Sequence, residues 1–386
     1  MINVRQFIED NFKTIFVSVI FLKVLLLIFI IQQGWFSWDK NIWYDAVLSM
    51  RNAGVVPYIN NFEFTLGITE YPIVFTYFLL LFYPFIYVLS NTSFFLVFGL
   101  VQILADVGIT ILLYKMLKDK TRILFGFMLM PTVLLLSTSR FDLLPSFFVV
   151  LLIYYFSLRR DVISGMVCSI ASFLKIYPGM FILAFYKKVL KRKKFIFSFL
   201  FVSLILNWFI FLNFKSLFLP FTSVGSYRAE SFFGLLGLLG VTTPYADMIN
   251  MGLLVVLLLY AFFMAKTNLG RFVGLIIPLL LTSMIFSPQW NLWFLPLLVL
   301  SSVPLLVVFL FDLITIIEFP FVWGVVFGST GFDPAVFDVS NWAVFLFVVL
   351  NFLRYGFFLY FYFKAVHSEK FVNPLIGRKL RGVLEE

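Results

Sequence analysis

The loop that follows the first apolar stretch concentrates residues that could carry acid–base chemistry. Asp39 and Asp45 stand among tryptophans and beside Tyr44, and Glu70 precedes the next apolar run. A carboxylate held next to a hydroxyl group can take its proton during a group transfer. The same residues also fit a simpler description, in which Trp43, Tyr44 and their neighbours form an aromatic belt at the depth of lipid headgroups and the acids are solvated. The loop alone leaves both interpretations open.

Three cations further along the chain could bind a phosphate. They are Arg140, Lys175 and Arg228, and each stands two residues before an acid or a tyrosine. Those neighbours are Asp142, Tyr177 and Glu230. An arginine can bind two phosphate oxygens at once, and a lysine supplies a compact positive charge. Each cation also has a simpler explanation. Arg140 and Asp142 can orient a corner as a charged pair, the ammonium of Lys175 can reach towards water, and Arg228 can form a local ion pair with Glu230.

A neutral side chain completes the set of polar candidates. Gln289 lies in the sequence Ser-Pro-Gln-Trp, directly after an apolar run. Its amide can both donate and accept hydrogen bonds, which suits the hydroxyl groups of a sugar. A single glutamine does not by itself indicate a ligand.

Membrane-spanning helices must hold these residues. The chain is 62% hydrophobic and 12% charged, with a mean hydropathy of +1.04, whereas a soluble domain is about half apolar and about a quarter charged. Apolar runs of the roughly 20 residues needed to cross the hydrocarbon core recur along the whole chain. We therefore predict a single all-α, polytopic membrane domain over residues 1–386.

The charge pattern predicts an orientation in the membrane. A net charge of +10 could suggest a nucleic-acid partner, but lysine and arginine fall in short clusters between apolar runs, as the positive-inside rule describes. We therefore predict a multi-pass cell-membrane protein that binds no nucleic acid, with both termini cytoplasmic and a basic tail over residues 365–386. The single Cys168 and the single His367 exclude a disulfide framework and a Cys/His metal cluster.

About 12 spans follow from this orientation. They are 14–32, 94–115, 122–138, 143–158, 162–174, 177–187, 194–213, 250–265, 272–286, 291–308, 310–327 and 342–363. Residues 34–93 then form the first extracytoplasmic loop, in which residues 41–53 fit a short helix that lies on the membrane surface. We predict that residues 71–89 dip into the outer leaflet and return, because two prolines interrupt the helix and a full crossing would invert every later basic cluster. A break at Tyr177-Pro178 separates two of the short spans.

Several motifs, taken in order, resemble the GT-C superfamily of membrane glycosyltransferases. Within it, the chain is similar to the bacterial and archaeal mannosyltransferases that use a polyprenyl-phosphate sugar. The motifs are Tyr44, Gly54-x-x-Pro57-Tyr58, Glu70-Tyr71-Pro72, Arg140-Phe-Asp142-Leu-Leu-Pro145, Gly165, Lys175-x-Tyr177-Pro178 and Ser287-Pro-Gln289-Trp290-x-x-Trp293. The chain departs from the usual pattern at Lys40, where the family has an Asp four residues before the loop tyrosine, and at Ile73, where it has a second proline.

The resemblance implies a GT-C-like helical fold and a reaction at the extracytoplasmic face. The reaction is the inverting transfer of a hexose such as mannose from polyprenyl phosphate to a glycan or glycolipid acceptor. Asp39 is then the expected general base, with Asp45 as the alternative, while Lys175 and Arg228 hold the lipid phosphate. The other residues assigned to substrate binding are Tyr44, Glu70, Arg140, Asp142, Tyr177, Glu230 and Gln289. No cofactor is expected, and the expected partners are the lipid-linked donor, the acceptor and membrane lipid. No metal ligand is assigned, since the first loop has no Asp-x-Asp pair, but the use of a divalent metal stays open.

Two other classes of protein share the composition. A flippase or transporter of lipid-linked sugars should place charged residues at mid-depth in several spans, where the sequence offers Asp106 and Glu318. A non-catalytic subunit of a glycan assembly pathway would explain why the first-loop acid is displaced to Asp39. The acids collect in the predicted outer loops, which favours the enzyme.

Overall fold

The structure is a computed structural model that describes residues 4–34, 37–53, 72–208, 231–241, 245–283, 287–322 and 342–385. Side chains are described for the same residues except 37–40, 238 and 320–322. Throughout this part of the chain the secondary structure is helical, and β pairing is limited to two isolated bridges. The prediction of an all-α protein is confirmed for the described residues.

Eighteen α-helices can be numbered along the described residues. They are α1 (Val4–Gln33), α2 (Ser37–Ala53), α3 (Ile73–Leu80), α4 (Asn91–Met116), α5 (Lys120–Ile123), α6 (Pro131–Leu135), α7 (Leu143–Ser157), α8 (Asp161–Leu174), α9 (Met180–Ala184), α10 (Tyr186–Val189), α11 (Lys193–Leu206), α12 (Phe232–Leu238), α13 (Ala246–Met264), α14 (Asn268–Leu281), α15 (Asn291–Leu300), α16 (Leu305–Ile316), α17 (Trp342–His367) and α18 (Arg378–Glu385). Short 3₁₀ turns at Tyr83–Phe85, Tyr177–Gly179 and Pro288–Trp290, and π-helical turns at Leu124–Met128 and Ile317–Val322, lie between them.

Four of these helices, α1, α4, α13 and α17, are long and apolar enough to cross a membrane. On α13, large apolar side chains point outwards, as Met248 and Phe263 show with 67% and 72% exposure. A continuous apolar surface of this kind is not stable in water. Lipid is therefore the solvent that these helices suit.

The predicted count of about 12 spans is not confirmed. Helices α7, α8, α11 and α14 are apolar but only 14 or 15 residues long, which gives about 22 Å at 1.5 Å per residue against roughly 30 Å of hydrocarbon. Predicted span 122–138 is divided into α5, a π-helical turn and α6, and predicted span 177–187 into a 3₁₀ turn, α9 and α10. Hydropathy detects apolar composition but not whether the helical hydrogen bonds run on without interruption.

The helices fall into two compact units. Unit 1 comprises Met1–Lys115 and Leu134–Val224, and unit 2 comprises Met116–Val133 and Gly225–Glu386. That both belong to one membrane domain stays a prediction.

In unit 1, glycines sit where helices approach closely. A Cβ atom at Gly165 of α8 would overlap the carbonyl oxygen of Phe195 on α11, and one at Gly108 of α4 would overlap the ring of Phe147 on α7. Small residues at crossings allow close backbone packing in membranes, where apolar burial does not drive helices together.

The first-loop segment forms a helix, as predicted, although it begins at Ser37 rather than at residue 41. Its buried face carries Trp43, Val47 and Met50, which recur at the helical spacing of four and three residues. Trp43 packs against Phe75 and Phe98, so it lies in the protein interior and is not part of a lipid-facing aromatic belt.

Residues 71–89 do not form one long helix. The eight residues of α3 follow Pro72, and a 3₁₀ turn containing Pro84 comes after them. A helix of this length is about 12 Å long, too short to cross the hydrocarbon. The interruption by two prolines is as predicted, and the re-entrant path itself stays a prediction.

In unit 2, one arginine side chain and two β-bridges connect main-chain groups near the helix ends. The guanidinium of Arg122 donates to the carbonyl oxygens of Leu298, Val299, Ser301 and Val303 at 2.7–3.0 Å. The segment after α17 adds bridges between Leu117 and Ile376 and between Ser301 and Val372. The predicted tail is therefore packed on unit 2 and ends in α18.

Candidate functional site

Two corners of unit 1 bring predicted site residues together. Asp142 immediately precedes α7, and Lys175 immediately follows α8. The ammonium Nζ of Lys175 lies 3.6 Å from Oδ1 of Asp142, and the two side chains are 14% and 1% exposed. The residues are 33 positions apart in the chain, so the fold and not the local sequence pairs them.

Tyr177 joins this pair through a serine. Ser146 Oγ donates to the carbonyl oxygen of Asp142 at 2.8 Å and lies 3.1 Å from the hydroxyl of Tyr177, which is buried. Ser146 was not among the predicted residues. Its position one helical turn after Asp142 is the signal that could have identified it.

Arg140 adds a second cation to the same corner. Its side chain is buried, at 8% exposure. Burial lowers the pKa of Arg140 to about 10, and the nearby charge of Asp142 opposes that shift. Arg140 is therefore still positively charged at neutral pH, and it forms with Lys175 and Asp142 a cluster of two cations and one carboxylate.

The backbone around Lys175 explains why α8 ends there. Lys175 has an extended conformation, with φ −151° and ψ 150°, and Tyr177–Gly179 forms a 3₁₀ turn. A residue that precedes proline, as Tyr177 does, is disfavoured in an α-helix. The predicted break at Tyr177-Pro178 is confirmed, and it leaves Lys175 at a helix end.

An aromatic core connects the first-loop helix to these corners. Phe141, between the two charged residues of the first corner, packs edge-on against Phe75 at 4.3 Å between ring centroids. Phe141 and Leu174, the residue before Lys175, belong to the same apolar cluster as Trp43 of α2. Helix α2 and both charged corners therefore share one buried core in unit 1.

The acids of the first loop are placed in part. Asp45 is exposed on α2, and Tyr44 donates its hydroxyl to the carbonyl oxygen of Leu89 at 3.1 Å. Asp39 lies on α2, and its side chain falls outside the described residues. Glu70, Arg228 and Glu230 also lie outside them. The choice of general base stays a prediction.

Gln289 belongs to unit 2. It lies in the 3₁₀ turn before α15 and is buried. The rings of Trp290 and Trp293 stack next to it in the sequence, with centroids 4.9 Å apart. Its role in binding substrate stays a prediction.

Sequence reasoning missed the partners of the charged residues inside the helices. Asp106 on α4 forms a buried ion pair with Lys23 on α1. Glu318 in unit 2 forms a buried ion pair with Arg354 on α17. An acid inside an apolar span signals that a partner exists, but only the fold identifies it.

The comparisons with protein-family models and with curated proteins find no relative of this chain. No protein-family model matches it, and no curated protein matches it. Among the described residues, no three His, Cys, Asp or Glu side chains come together as a metal site. The functional conclusion therefore depends on the charged corner of unit 1 and on the motifs.

Proposed function

We propose that the chain is a membrane glycosyltransferase of the GT-C type. It moves a sugar from a polyprenyl-phosphate donor to the hydroxyl group of an extracytoplasmic glycan or glycolipid. The observation that carries this proposal is the buried corner where Arg140 and Lys175 stand on either side of Asp142 in the chain, with Lys175 paired to its carboxylate. An arginine and a lysine at one buried corner offer an anion two cationic hydrogen-bond donors, and a lipid phosphate is an anion that reaches an apolar helical protein from the membrane.

The reaction is a single displacement. The acceptor hydroxyl oxygen bonds to the anomeric carbon while the bond from that carbon to the phosphate oxygen breaks, so the configuration inverts. The hydroxyl proton passes to a first-loop carboxylate, Asp39 or alternatively Asp45. The electron pair leaves with the lipid phosphate, whose charge Lys175, Arg140 and Arg228 stabilise. The donor is already activated, so the reaction consumes no nucleotide and no redox cofactor.

Asp142 is a positioning residue in this scheme. Its carboxylate holds Lys175 at the end of α8, and its carbonyl oxygen accepts from Ser146, which also contacts Tyr177. A cation that is held before the substrate arrives needs less reorganisation during the reaction. Asp142 therefore acts through the lysine and not on the sugar.

Sugar transfer from defined donors tests the proposal. The full-length protein in lipid nanodiscs is given labelled mannosyl, glucosyl and arabinosyl polyprenyl phosphates with a glycolipid extract as acceptor. We expect Asp39→Asn or Asp45→Asn to lower turnover by roughly 10²- to 10⁴-fold, as for loss of a general base, with donor binding retained. Lys175→Gln should weaken donor binding, whereas Lys194→Gln, at an exposed lysine of α11, should not. If the wild-type protein transfers none of the three sugars, the proposal is abandoned.

The main alternative is a flippase of lipid-linked sugars. It is favoured by the buried ion pairs Lys23–Asp106 and Glu318–Arg354, because charged residues inside spans often line a transport path. Proteoliposomes with a fluorescent donor lipid separate the two functions. A flippase moves that lipid across the bilayer without an acceptor and loses the movement in Asp106→Asn or Glu318→Gln. A non-catalytic subunit is indifferent to both first-loop substitutions in the transfer assay.

A further inference from the structure

We infer that the corner carrying Arg140 and Asp142 also contains a subsite for sugar hydroxyl groups, formed by Gln102, Ser137 and Thr138. This inference rests on the proposed function and names residues that neither the motifs nor the charged corner indicated. The ligand class is the polyhydroxyl part of the donor, next to its phosphate.

The corner is unusually polar for a segment buried in this protein. Ser137, Thr138 and Ser139 follow one another and are fully buried. Ser139 Oγ donates to the carbonyl oxygen of Leu136 at 3.3 Å, but Ser137 Oγ and Thr138 Oγ1 have no hydrogen-bond partner among the described residues. A buried hydroxyl without a partner is destabilising. These two hydroxyls therefore have hydrogen-bonding capacity that a polar ligand could use.

Gln102 on α4 has the same property. It is fully buried, and neither its amide oxygen nor its amide nitrogen has a hydrogen-bond partner among the described residues. One turn earlier on α4, a Cβ atom at Gly99 would lie 3.0 Å from the carbonyl oxygen of Thr138. The corner therefore packs directly on this part of α4, and glycine leaves the room for that approach. The backbone of Thr138 therefore lies beside the turn of α4 that carries Gly99 and, three residues later, Gln102.

The chemistry of these groups selects among ligands. Two hydroxyls and one amide are neutral, and each can both donate and accept hydrogen bonds. A phosphate or a metal ion would call for charged partners, which Arg140 and Lys175 supply instead. Sugar hydroxyls also donate and accept hydrogen bonds, so they match the bonding capacity of all three side chains. Thr138 is only two residues before Arg140, so a sugar bound at these hydroxyls would lie near a phosphate bound at Arg140.

Paired binding measurements test the subsite. The dissociation constants of polyprenyl-phosphate-mannose and of plain polyprenyl phosphate are measured with the full-length protein in nanodiscs, and their ratio isolates the contribution of the sugar. We expect Gln102→Leu and Thr138→Val each to weaken binding of the mannosyl lipid roughly two- to tenfold, as for loss of one neutral hydrogen bond. Binding of plain polyprenyl phosphate should not change. Ser139→Ala is the matched control, because that hydroxyl is already bonded within the corner, and Thr138→Ser should retain wild-type binding.

The other outcomes separate failure of the subsite from failure of the proposed function. An unchanged ratio in both variants overturns the subsite, since water then serves these groups, and leaves the proposed function standing. Equal affinity of the wild-type protein for the two lipids also overturns the subsite. The same conclusion follows if the variants bind both lipids more weakly by the same factor. If the wild-type protein binds neither lipid, the proposed function fails and the subsite fails with it.

Discussion

Replacing Gly165 by alanine tests whether the backbones of α8 and α11 are in direct contact. A Cβ atom at this position would overlap the side-chain oxygen of Ser198 and the carbonyl oxygen of Phe195, and it would lie 3.0 Å from the backbone nitrogen of Phe199. A serine side chain can rotate away, but main-chain atoms within α11 cannot. Gly165→Ala therefore has to push the two helices apart by most of an ångström.

The cost of that separation follows from the contacts along the helix pair. Inserting a methyl group into a packed interior destabilises a protein by about 1–3 kcal/mol. Moving the helices apart also stretches the hydrogen bond between Ser169 and Ser203, now 2.9 Å long, which contributes about 0.5–1.5 kcal/mol. We expect Gly165→Ala to lower the free energy of unfolding of this region by roughly 2–4 kcal/mol.

The chain carries its own reporter for this measurement. Cys168 is its single cysteine, lies three residues after Gly165 on α8 and is fully buried. A thiol-reactive dye can label it only when the helix pair opens. With opening fast relative to labelling, a loss of 2–4 kcal/mol should raise the labelling rate roughly 30- to 1000-fold.

The matched control is Gly356→Ala on α17, where an added Cβ atom meets nothing within 4 Å. Alanine is a better helix former than glycine by about 0.5–1 kcal/mol, so this variant should label no faster than the wild-type protein. A labelling rate in Gly165→Ala within about threefold of wild type, which corresponds to less than about 1 kcal/mol, would refute the close approach of the two backbones.

Two further predictions concern buried cations. Lys23→Met or Asp106→Leu should each destabilise unit 1 by about 3–5 kcal/mol, because each leaves one buried charge without its partner. In thermal unfolding, the double variant should lose less stability than the two single variants added together. Strict additivity of the two losses would disprove the pairing. In unit 2, Arg122→Lys should cost about 2–4 kcal/mol, since an ammonium cannot reproduce the donation to four carbonyl oxygens in residues 298–303. A thermal midpoint equal to that of the wild-type protein would contradict this.

Features with a local physical signal were predictable from the sequence. The amphipathic spacing in residues 41–53 indicated the helix that the structure extends to Ser37, and Pro178 indicated the break after α8. The predicted orientation puts Lys175 on the side opposite the basic clusters, against the positive-inside rule, and a lysine placed there indicates a compensating partner. These signals depend on neighbours within a few residues, which the sequence shows directly.

Features that depend on distant contacts were not predictable. Trp43 looked suited to a membrane interface by residue type, yet the fold places Phe75 and Phe98 against it. Asp106 signalled that it needed a partner, but Lys23 is 83 residues away in the chain. The continuity of a helix is equally hidden, because an apolar run such as 122–138 has the same hydropathy whether its hydrogen bonds are continuous or broken.

The pairing of Lys175 with Asp142 does not remove the case for an anionic ligand. In the predicted orientation Lys175 lies on the outer side of the membrane, where the positive-inside rule makes a lysine unusual, and Asp142 balances its charge. A second buried cation near the same carboxylate, however, goes beyond what compensation of Lys175 requires. Arg140 is that second cation, and it leaves the three residues with one net positive charge. The proposed function gives this second cation a ligand, because a lipid phosphate would bring a negative charge to the corner.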